Sequence, residues 1–344
     1  MPVSISYVIP HHNNINLLSQ CLASIEQQTY QATYSEIIIV DDCSTDESMA
    51  WLKINYPTVI VEKNQRNLGF ARSANRGLKK AQGEWIILIN TDVRLAPRCI
   101  EAASDWFSEK EIGSIAFSLL DMRRPELYDS AGDLYTIAGY AQKRKERLSV
   151  RDNPLESGPV FSASGAAAAY RSSALRNVGY FDESFEAYYE DVDLGVRLRL
   201  AGYECIFEKD ALAYHLSGGS YGDKAFAAKR EFLNSKNSEK LFFKYYPEVF
   251  GIPHVIRHFI VMIFHILGKF FISKAWIHFV AGKWEAFSSI HKTKQSEFDI
   301  NREINKEGLL RVLEPRWINA HFASWVRKSS LKLRNQDWVN MTRE

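Results

Sequence analysis

The run Trp85-Ile-Ile-Leu-Ile89, followed at once by Asn90-Thr91-Asp92, constrains the fold of this chain most. A short, unbroken apolar run that stops at polar residues reads as a strand buried on both faces of a parallel sheet. Ligands of open α/β sheets bind beyond the carboxyl ends of the strands. That places Asp92 where a ligand would sit. The same three polar residues also suit an ordinary turn, so the motif takes its meaning from the rest of the chain.

Read in order, the segments before it alternate. Ser4 to Pro10 has the pattern of a first strand, ended by Pro10 and a polar loop from His11 to Asn14. Leu17, Leu18, Cys21, Leu22 and Ile25 fall at helical spacing. Ile37 to Val40 forms a second buried strand that runs into Asp41-Asp42. Ser44, Thr45 and Asp46 then offer an N-cap to a helix through Met49 and Leu52. Val59 to Val61 is a third strand. Asn67-Leu-Gly-Phe-Ala, with Asn75 and Gly77, is a loop turning into a helix that ends near Gly83. This β-α-β-α-β-α-β order calls for a parallel sheet with helices on both faces. Polar clusters follow three of the strands at one edge, as a nucleotide site requires. Neither G-x-G-x-x-G nor G-x-x-x-x-G-K-[ST] occurs, so the site is neither of the two common phosphate-cradle types.

Beyond the central strand, Pro97 opens a helix and Ile112 to Leu120 is a further strand. Asp121 to Asn153 is a polar loop or hairpin excursion, and its basic run Lys143-Arg144-Lys145 is expected to be a solvated surface. Ser164 to Arg171 is rich in small residues, which let a backbone approach a ligand closely. Glu190, Asp191 and Asp193 lie in the first turn of a helix that Gly202 ends. One acid would suffice to favour that helix terminus; three after an aromatic-rich loop point to a site as well. Tyr203–Phe207 and Ala211–Tyr214 are expected as two short closing strands before His215 and a Ser217-Gly-Gly-Ser220 loop.

Together these segments resemble the family 2 nucleotide-sugar glycosyltransferases of the GT-A fold. The resemblance covers roughly residues 3 to 220. It rests on Ile39-Val-Asp-Asp-Cys-Ser-Thr-Asp46, Asn67-Leu-Gly-Phe-Ala, Asn90-Thr-Asp92, Gly165-Ala166 with Arg171, Phe181-Asp-Glu, Glu190-Asp-Val-Asp-Leu194 and His215. The forms of these motifs look most like the rhamnosyltransferase-like branch that builds bacterial surface polysaccharides. The resemblance implies an inverting transfer of a sugar from a nucleoside diphosphate to a hydroxyl. It implies that Pro10, Asp41, Asp42, Asn67, Gly69, Asn75 and Asn90 line the nucleotide, and that Gly165 and Ala166 lie beside the sugars. Asp92 matches the metal-binding acid of the family's D-x-D motif, with His215 as a second approach to a Mn2+ or Mg2+ ion. Asp191 matches the catalytic base, with Glu190 as second choice. The first acid of D-x-D is Asn90 here, which removes a charge beside the metal. The Q-x-x-R-W motif of processive synthases is absent, which favours single additions.

The tail differs in pattern. Between Lys244 and Lys294 there are seven Lys and Arg against two Asp and Glu, and five of the nine histidines: His254, His258, His265, His278 and His291. Aromatic and apolar residues interleave with them. A basic helix with an aromatic face suits a membrane surface; the same pattern suits a helix buried on the domain or in a dimer interface. Ser296 to Glu344, with Trp317, Trp325 and Trp338, gives no reading. The expected division is a transferase domain over 1–222 and a helical, partly basic extension over 223–344.

Composition sets the remaining bounds. With 46% hydrophobic and 24% charged residues in 344, the chain has the make-up of a globular protein with a sizeable core. A net charge of +2 argues against nucleic acid as the main partner. The four cysteines are scattered without a C-x-x-C pair, which suits a reducing, cytoplasmic compartment. No signal peptide is expected, and no run of about 18 apolar residues marks a transmembrane helix. The expected protein is thus cytoplasmic, on the inner face of the plasma membrane. The resemblance implies a thymidine diphosphate rhamnose donor or, alternatively, a uridine diphosphate hexose. Its acceptor would be a glycan or a polyprenyl-diphosphate-linked saccharide. A homodimer fits the tail. A non-catalytic binding module and a nucleotidyltransferase are the readings of other classes.

Overall fold

The computed structural model describes residues 2–216, 224–245, 251–272, 276–289 and 306–315. The alternation expected for the first ninety residues forms as read. Strands β1 (Ile5–His11), β2 (Ser35–Asp41), β3 (Ile60–Lys63) and β4 (Trp85–Ile89) are linked by α1 (Ile15–Glu26), α2 (Ser48–Asn55) and α3 (Phe70–Lys80). The four strands pair in parallel in the order β4-β1-β2-β3. Their side chains alternate between two cores. Ile5, Ile9, Trp85, Ile87 and Ile89 pack with α1 on one face; Val8, Val40, Ile86 and Leu88 pack with α3 on the other. Gly77 is what lets α3 lie so close, because a Cβ there would come within 2.4 Å of Val8 Cγ1.

The second half extends this sheet. It comprises β5 (Val93–Leu95), α4 (Cys99–Ala103), β6 (Ile112–Asp121), β7 (Arg124–Ser130), β8 (Asp133–Tyr135), β9 (Ala141–Lys143), β10 (Gly158–Val160), β11 (Ala167–Arg171), α5 (Ser172–Val178), α6 (Glu190–Leu200) and β12 (Glu204–His215). The main path is β10-β12-β6-β11-β4-β1-β2-β3, with β5 and β7 added at β12 and β6. On the main path β10 and β11 run against the rest, and the added β5 and β7 also pair antiparallel, but six of the ten strands share one direction, so the sheet is mostly parallel. The small-residue segment becomes β11. Its Ala167, Ala168 and Ala169 are fully buried between β4 and β6, where larger side chains would not fit between the two helix layers. Arg171 at its end is structural: its guanidinium donates to the carbonyls of Phe107, Glu109 and Ile112 and lies over Trp85.

Several expectations change. The two closing strands are one strand, β12, whose pairing with β6 slips between Glu208 and Leu212. A register slip of this kind disguises a long strand as two short ones. The Asp121–Asn153 excursion is ordered as β7 on β6 and a β8–β9 hairpin. Its basic run is not a solvated face. Lys143 Nζ is 2.8 Å from Asp129 Oδ2, and the Arg144 guanidinium lies 5.3 Å from the Phe207 ring centre.

The tail folds onto this body as α7 (Lys224–Tyr245), α8 (Ile252–Ile272), α9 (Trp276–Ser288) and α10 (Lys306–Arg311). Leu241, Phe242 and Tyr245 of α7 join Tyr135, Phe161 and Val196 in a third core. A buried polar cluster ties the helices together. Glu239 takes the Lys283 ammonium and, at 2.7 Å, His258 Nε2, whose Nδ1 is 2.8 Å from the Ala138 carbonyl. The His258 ring is stacked between Phe242 and Tyr140. Three cations of this segment have acid partners: Lys244 pairs with Asp182 and Asp193, Lys269 with Glu231, and Lys283 with Glu239. What faces outward on α8 is an apolar stripe including Ile256, Ile260, Ile263, Phe264, Leu267 and Phe270. Lys274, Lys292 and Lys294, which the expected basic face includes, lie outside the described residues. Among the described residues, α8 is also long and apolar enough to cross a membrane, by length and composition alone. Arg257, His258 and His265 interrupt its apolar run, which is why the sequence alone marked no such helix. The loop at Ser217–Ser220, His291, Trp317, Trp325 and Trp338 lie outside the described residues.

Candidate active site

The carboxyl ends of β1, β2, β4 and β12, the start of β11 and the first turn of α6 meet at one edge of the sheet. On the β1–β2 side, Pro10 is half-buried opposite Val40, and His11 faces Asp41 across the strands. Asp41 is fully buried. Its Oδ1 accepts from Ser44 N at 2.8 Å, while its Oδ2, 4.0 Å from Lys63 Nζ, has no hydrogen-bond partner. A buried carboxylate oxygen without a donor is expensive, so Asp41 presents an acceptor for a ligand N–H or O–H. Burial holds the His11 imidazole below its ordinary pKa although Asp41 and Asp46 push the other way, so it stays neutral.

Two residues expected at the nucleotide do other work. Asp42 accepts from Leu68 N (2.7 Å), Gly69 N (2.8 Å) and Asn64 Nδ2 (2.8 Å), so both its oxygens shape the Asn67-Leu-Gly69 loop. Gly69 takes φ +83°, which the loop needs at that point. Asn75 is buried, donates to the Phe181 carbonyl and accepts from Phe181 N, and its Nδ2 is 3.1 Å from Glu183 Oε1. Its amide is spent on the segment before α6. The sequence could not separate these roles, because a ligand-facing amide and a loop-bracing amide use the same residue. Asn67 is exposed at the loop surface.

At the end of β4, Asn90 N donates to Ala166 O at 2.8 Å and its Oδ1 is buried without a partner. Asp92 is partly exposed, with Oδ2 3.5 Å from His215 Nε2. His215 Nδ1 is 2.8 Å from Asp129 Oδ2, the oxygen that also holds Lys143. Burial opposes charge on His215, but the hydrogen bonds and charges of Asp129 and Asp92 push its pKa up to about 9. Burial resists ionisation of Asp129, yet Lys143 and His215 hold its carboxyl far below the usual range. Asp129 and Lys143 are site residues that sequence reasoning missed. They lie in an excursion without periodicity, and nothing in their spacing signals the meeting with His215.

On the β11 and α6 side, Asp191 Oδ2 accepts from Gly165 N at 2.8 Å and Oδ1 from Val192 N at 2.9 Å. A Cβ at Gly165 would press on Asp191 Oδ2 at 3.3 Å and on Glu190 Oε1 at 3.5 Å, so glycine leaves room for both carboxylates. Burial raises the pKa of Asp191, and the backbone N–H donors offset part of that. Glu190 is raised well above its ordinary value by burial and by the Asp191 charge, and its Oε2 has no partner. Asp133, buried beside them with Ser162 Oγ at 3.3 Å, is likewise raised by burial and by Asp191. Of the three, Asp191 alone has two N–H donors to support a negative charge. Asp193, the third acid of the turn, faces away, bound to Arg197, Lys244 and Tyr245.

The donor set fits a divalent cation in part. Asp92 and His215 place a carboxylate oxygen and an imidazole nitrogen side by side, and His215 would have to release its proton to bind the ion. No group of three or more candidate ligands exists among the described residues. Such ions often take one or two protein ligands and complete their shell with substrate phosphates and water.

An α/β sheet of this order with carboxylates at its ligand edge defines a GT-A type glycosyltransferase. The profile of glycosyl transferase family 2 matches residues 6–179, and the chain belongs to that family. Among curated proteins it is similar to the N-acetylglucosaminyl-diphospho-decaprenol L-rhamnosyltransferase of Mycobacterium tuberculosis. The two are 29% identical over 233 residues, 60% of this chain and 73% of the relative. It is also similar to the poly(ribitol-phosphate) beta-glucosyltransferase of Bacillus spizizenii, 36% identical over 110 residues, 31% of this chain but only 17% of that one. Among solved structures, a mannosyltransferase from Pyrobaculum calidifontis in complex with GDP-mannose and Mn2+ superposes with a TM-score of 0.54. It shares 16% identity over 84% of this chain and 76% of its own. GalNAc-T7 with UDP, GalNAc and Mn2+ gives 0.53, over 74% of this chain and 53% of its own. The chain is a glycosyltransferase by family and fold together.

Proposed function

We propose that this enzyme transfers a sugar, with inversion, from a nucleoside diphosphate to a hydroxyl of a surface-polysaccharide precursor. The observation that supports it most is one hydrogen bond. Asn90 N to Ala166 O joins the edge that holds Asp92 and His215 to the edge where Gly165 holds Asp191. A leaving diphosphate and an attacking hydroxyl would each find their group on one continuous surface. The acceptor oxygen attacks the anomeric carbon as the bond to the diphosphate oxygen breaks. Asp191, the better supported anion, takes the acceptor proton. Glu190, held neutral by its burial, is then a hydrogen-bond donor beside it. Asp41 Oδ2 is the acceptor for the base or ribose. A divalent ion, manganese or magnesium, held by Asp92 and His215 would neutralise charge on the diphosphate.

The donor proposed is thymidine diphosphate rhamnose, in line with the rhamnosyltransferase relative; a uridine diphosphate hexose is the alternative, in line with the glucosyltransferase relative. A non-catalytic binding module would have no use for the Asp191–Gly165 arrangement. Calorimetry of thymidine and uridine diphosphate sugars, each with and without manganese, tests this. Metal-dependent binding of one nucleotide is the expected result, and no binding by well-folded protein would overturn it.

The same reading divides the chain at about residue 222. It sets the enzyme at the cytoplasmic face of the plasma membrane, with a lipid-linked saccharide as acceptor. Two things support the membrane: the outward apolar stripe of α8, and the diphospho-decaprenol acceptor in the name of the Mycobacterium tuberculosis relative. A homodimer through that stripe is the competing arrangement.

A further inference from the structure

We infer that Asn237, on α7 in the tail, is a positioning residue for the catalytic carboxylates; this rests on the assignment of Asp191 as base. The segment between α5 and α6 ends in an unusual backbone. Glu186, Tyr188 and Tyr189 have φ of +63°, +68° and +73°, and none is glycine. Glu186 adds ψ −68° with Ala187 N donating to Phe185 O at 2.7 Å, a γ-turn of the strained hand. Tyr189 is the residue from which α6 starts, so Glu190 and Asp191 inherit whatever conformation this segment holds. Left-handed backbone in side-chain-bearing residues persists only where its surroundings impose it.

The imposing group is the Asn237 amide. Its Nδ2 lies 2.8 Å from each of three carbonyl oxygens, those of Phe185, Ala187 and Tyr188. Two N–H bonds serve three acceptors, one of them shared. Rotating the amide by half a turn would set its oxygen against all three, so its orientation is fixed. Asn237 is fully buried. Its neighbours on α7 hold the more exposed side of the same segment: Lys236 Nζ to Glu186 Oε1 at 2.9 Å, Lys240 Nζ to Ser184 O at 2.7 Å and Lys244 Nζ to Asp182 Oδ2 at 2.8 Å. Asn75 of α3 grips it from the opposite side at Phe181. The consequence falls on one contact. Asp191 Oδ2 must stay at hydrogen-bond distance from Gly165 N, 2.8 Å away, and the open space beside glycine does nothing to hold it there.

The Asn237→Ala enzyme tests this. The assay is nucleoside diphosphate release, with water in the acceptor's place, from whichever of dTDP-rhamnose, UDP-glucose and UDP-N-acetylglucosamine binds. A misplacement near 1 Å at a reacting group costs on the order of 10²-fold, so kcat should fall about 10–100-fold while donor KM and calorimetric affinity stay put. The acid limb of the rate profile should move to higher pH, because Asp191 loses the Gly165 N–H while Glu190, Asp133 and Lys143 still face it. Glu186→Gly, which removes the side-chain penalty at the γ-turn, should restore most of the rate in the Asn237→Ala background. An unchanged kcat in Asn237→Ala would overturn the inference. So would a loss of rate that only tracks lost folded protein with an unmoved pH profile. If Asn237→Ala does not fold, the double variant decides: recovery of fold and rate supports the inference, and a folded double variant with low rate and unmoved profile overturns it. Wild-type turnover in Asp191→Asn would instead sink the assignment of the base, whatever Asn237 does.

Discussion

The choice between Asp191 and Glu190 turns on what each oxygen touches. Adjacent residues on a helix point about 100° apart, and here both reach the same glycine. Backbone donors from Gly165 and Val192 support the Asp191 charge, whereas Glu190 Oε2 has no partner, so burial weighs more heavily on Glu190. Asp191→Asn should therefore lower kcat by about 10²–10⁴-fold, the worth of a positioned base, with donor affinity by calorimetry nearly intact. Because burial raises its pKa, wild-type turnover should rise with pH through a limb above the ordinary aspartate range. Asp92→Ala should weaken donor binding only when manganese is present; equal loss without metal would make Asp92 structural. At this scale the sequence was legible in position: Asp41 and Asp92 lie at strand ends and Asp191 in the first turn of a helix, as their segments' patterns required. It was not legible for Asp42 and Asn75. Their side chains are polar and stand beside the site, yet their hydrogen bonds close loops, and only coordinates tell which way a carboxylate or amide is turned.

Elements defined by buried periodicity were readable almost to the residue, because β1, β2 and β4 sit between two helix layers and must be apolar along their middles. The polar excursion was not, because its order comes from pairing with β6 and from the tail rather than from its own pattern. Its turn at Ala138–Tyr140 is the socket for α7 and α8. Gly139 has φ +76°, and a Cβ there would fall 2.2 Å from Phe242 Cδ2 and 3.1 Å from His258 Nδ1. Gly139→Ala therefore meets two penalties, overpacking of about 1–3 kcal/mol and left-handed backbone of about 1–2 kcal/mol. A chemical-denaturation midpoint lowered accordingly, with protease cleavage appearing first between α7 and α9, is the expected result. Wild-type resistance would mean that the tail is not seated by this turn. The same element explains why the tail misled: its cations were counted as surface charge, although Lys244 and Lys283 are buried partners of acids.

For the whole molecule, salt separates two kinds of membrane attachment. A basic surface would bind anionic lipid through screened attraction, and about 0.5 M salt would release it. An apolar stripe on α8 would bind by burial of hydrocarbon and hold in the same salt. The pairing of Glu239 in the tail is acid-sensitive. Burial resists charge on Glu239, but Lys283 and His258 depress its pKa to about 2. Its contribution to stability is therefore full above the unfolded value of about 4.3 and is lost as pH falls toward 2. Glu239→Gln should cost about 3–5 kcal/mol at neutral pH, because it leaves the buried Lys283 ammonium unpaired. Flotation with phosphatidylglycerol and phosphatidylethanolamine vesicles then tests the placement. The wild-type chain should float at low and high salt, and Ile263→Lys with Leu267→Lys should abolish flotation while leaving donor affinity unchanged. Flotation that salt abolishes would assign attachment to charge elsewhere on the chain. A wild-type protein that stays at the bottom of the gradient, scatters light as a dimer and is made monomeric by the two lysines would turn the stripe into a subunit interface.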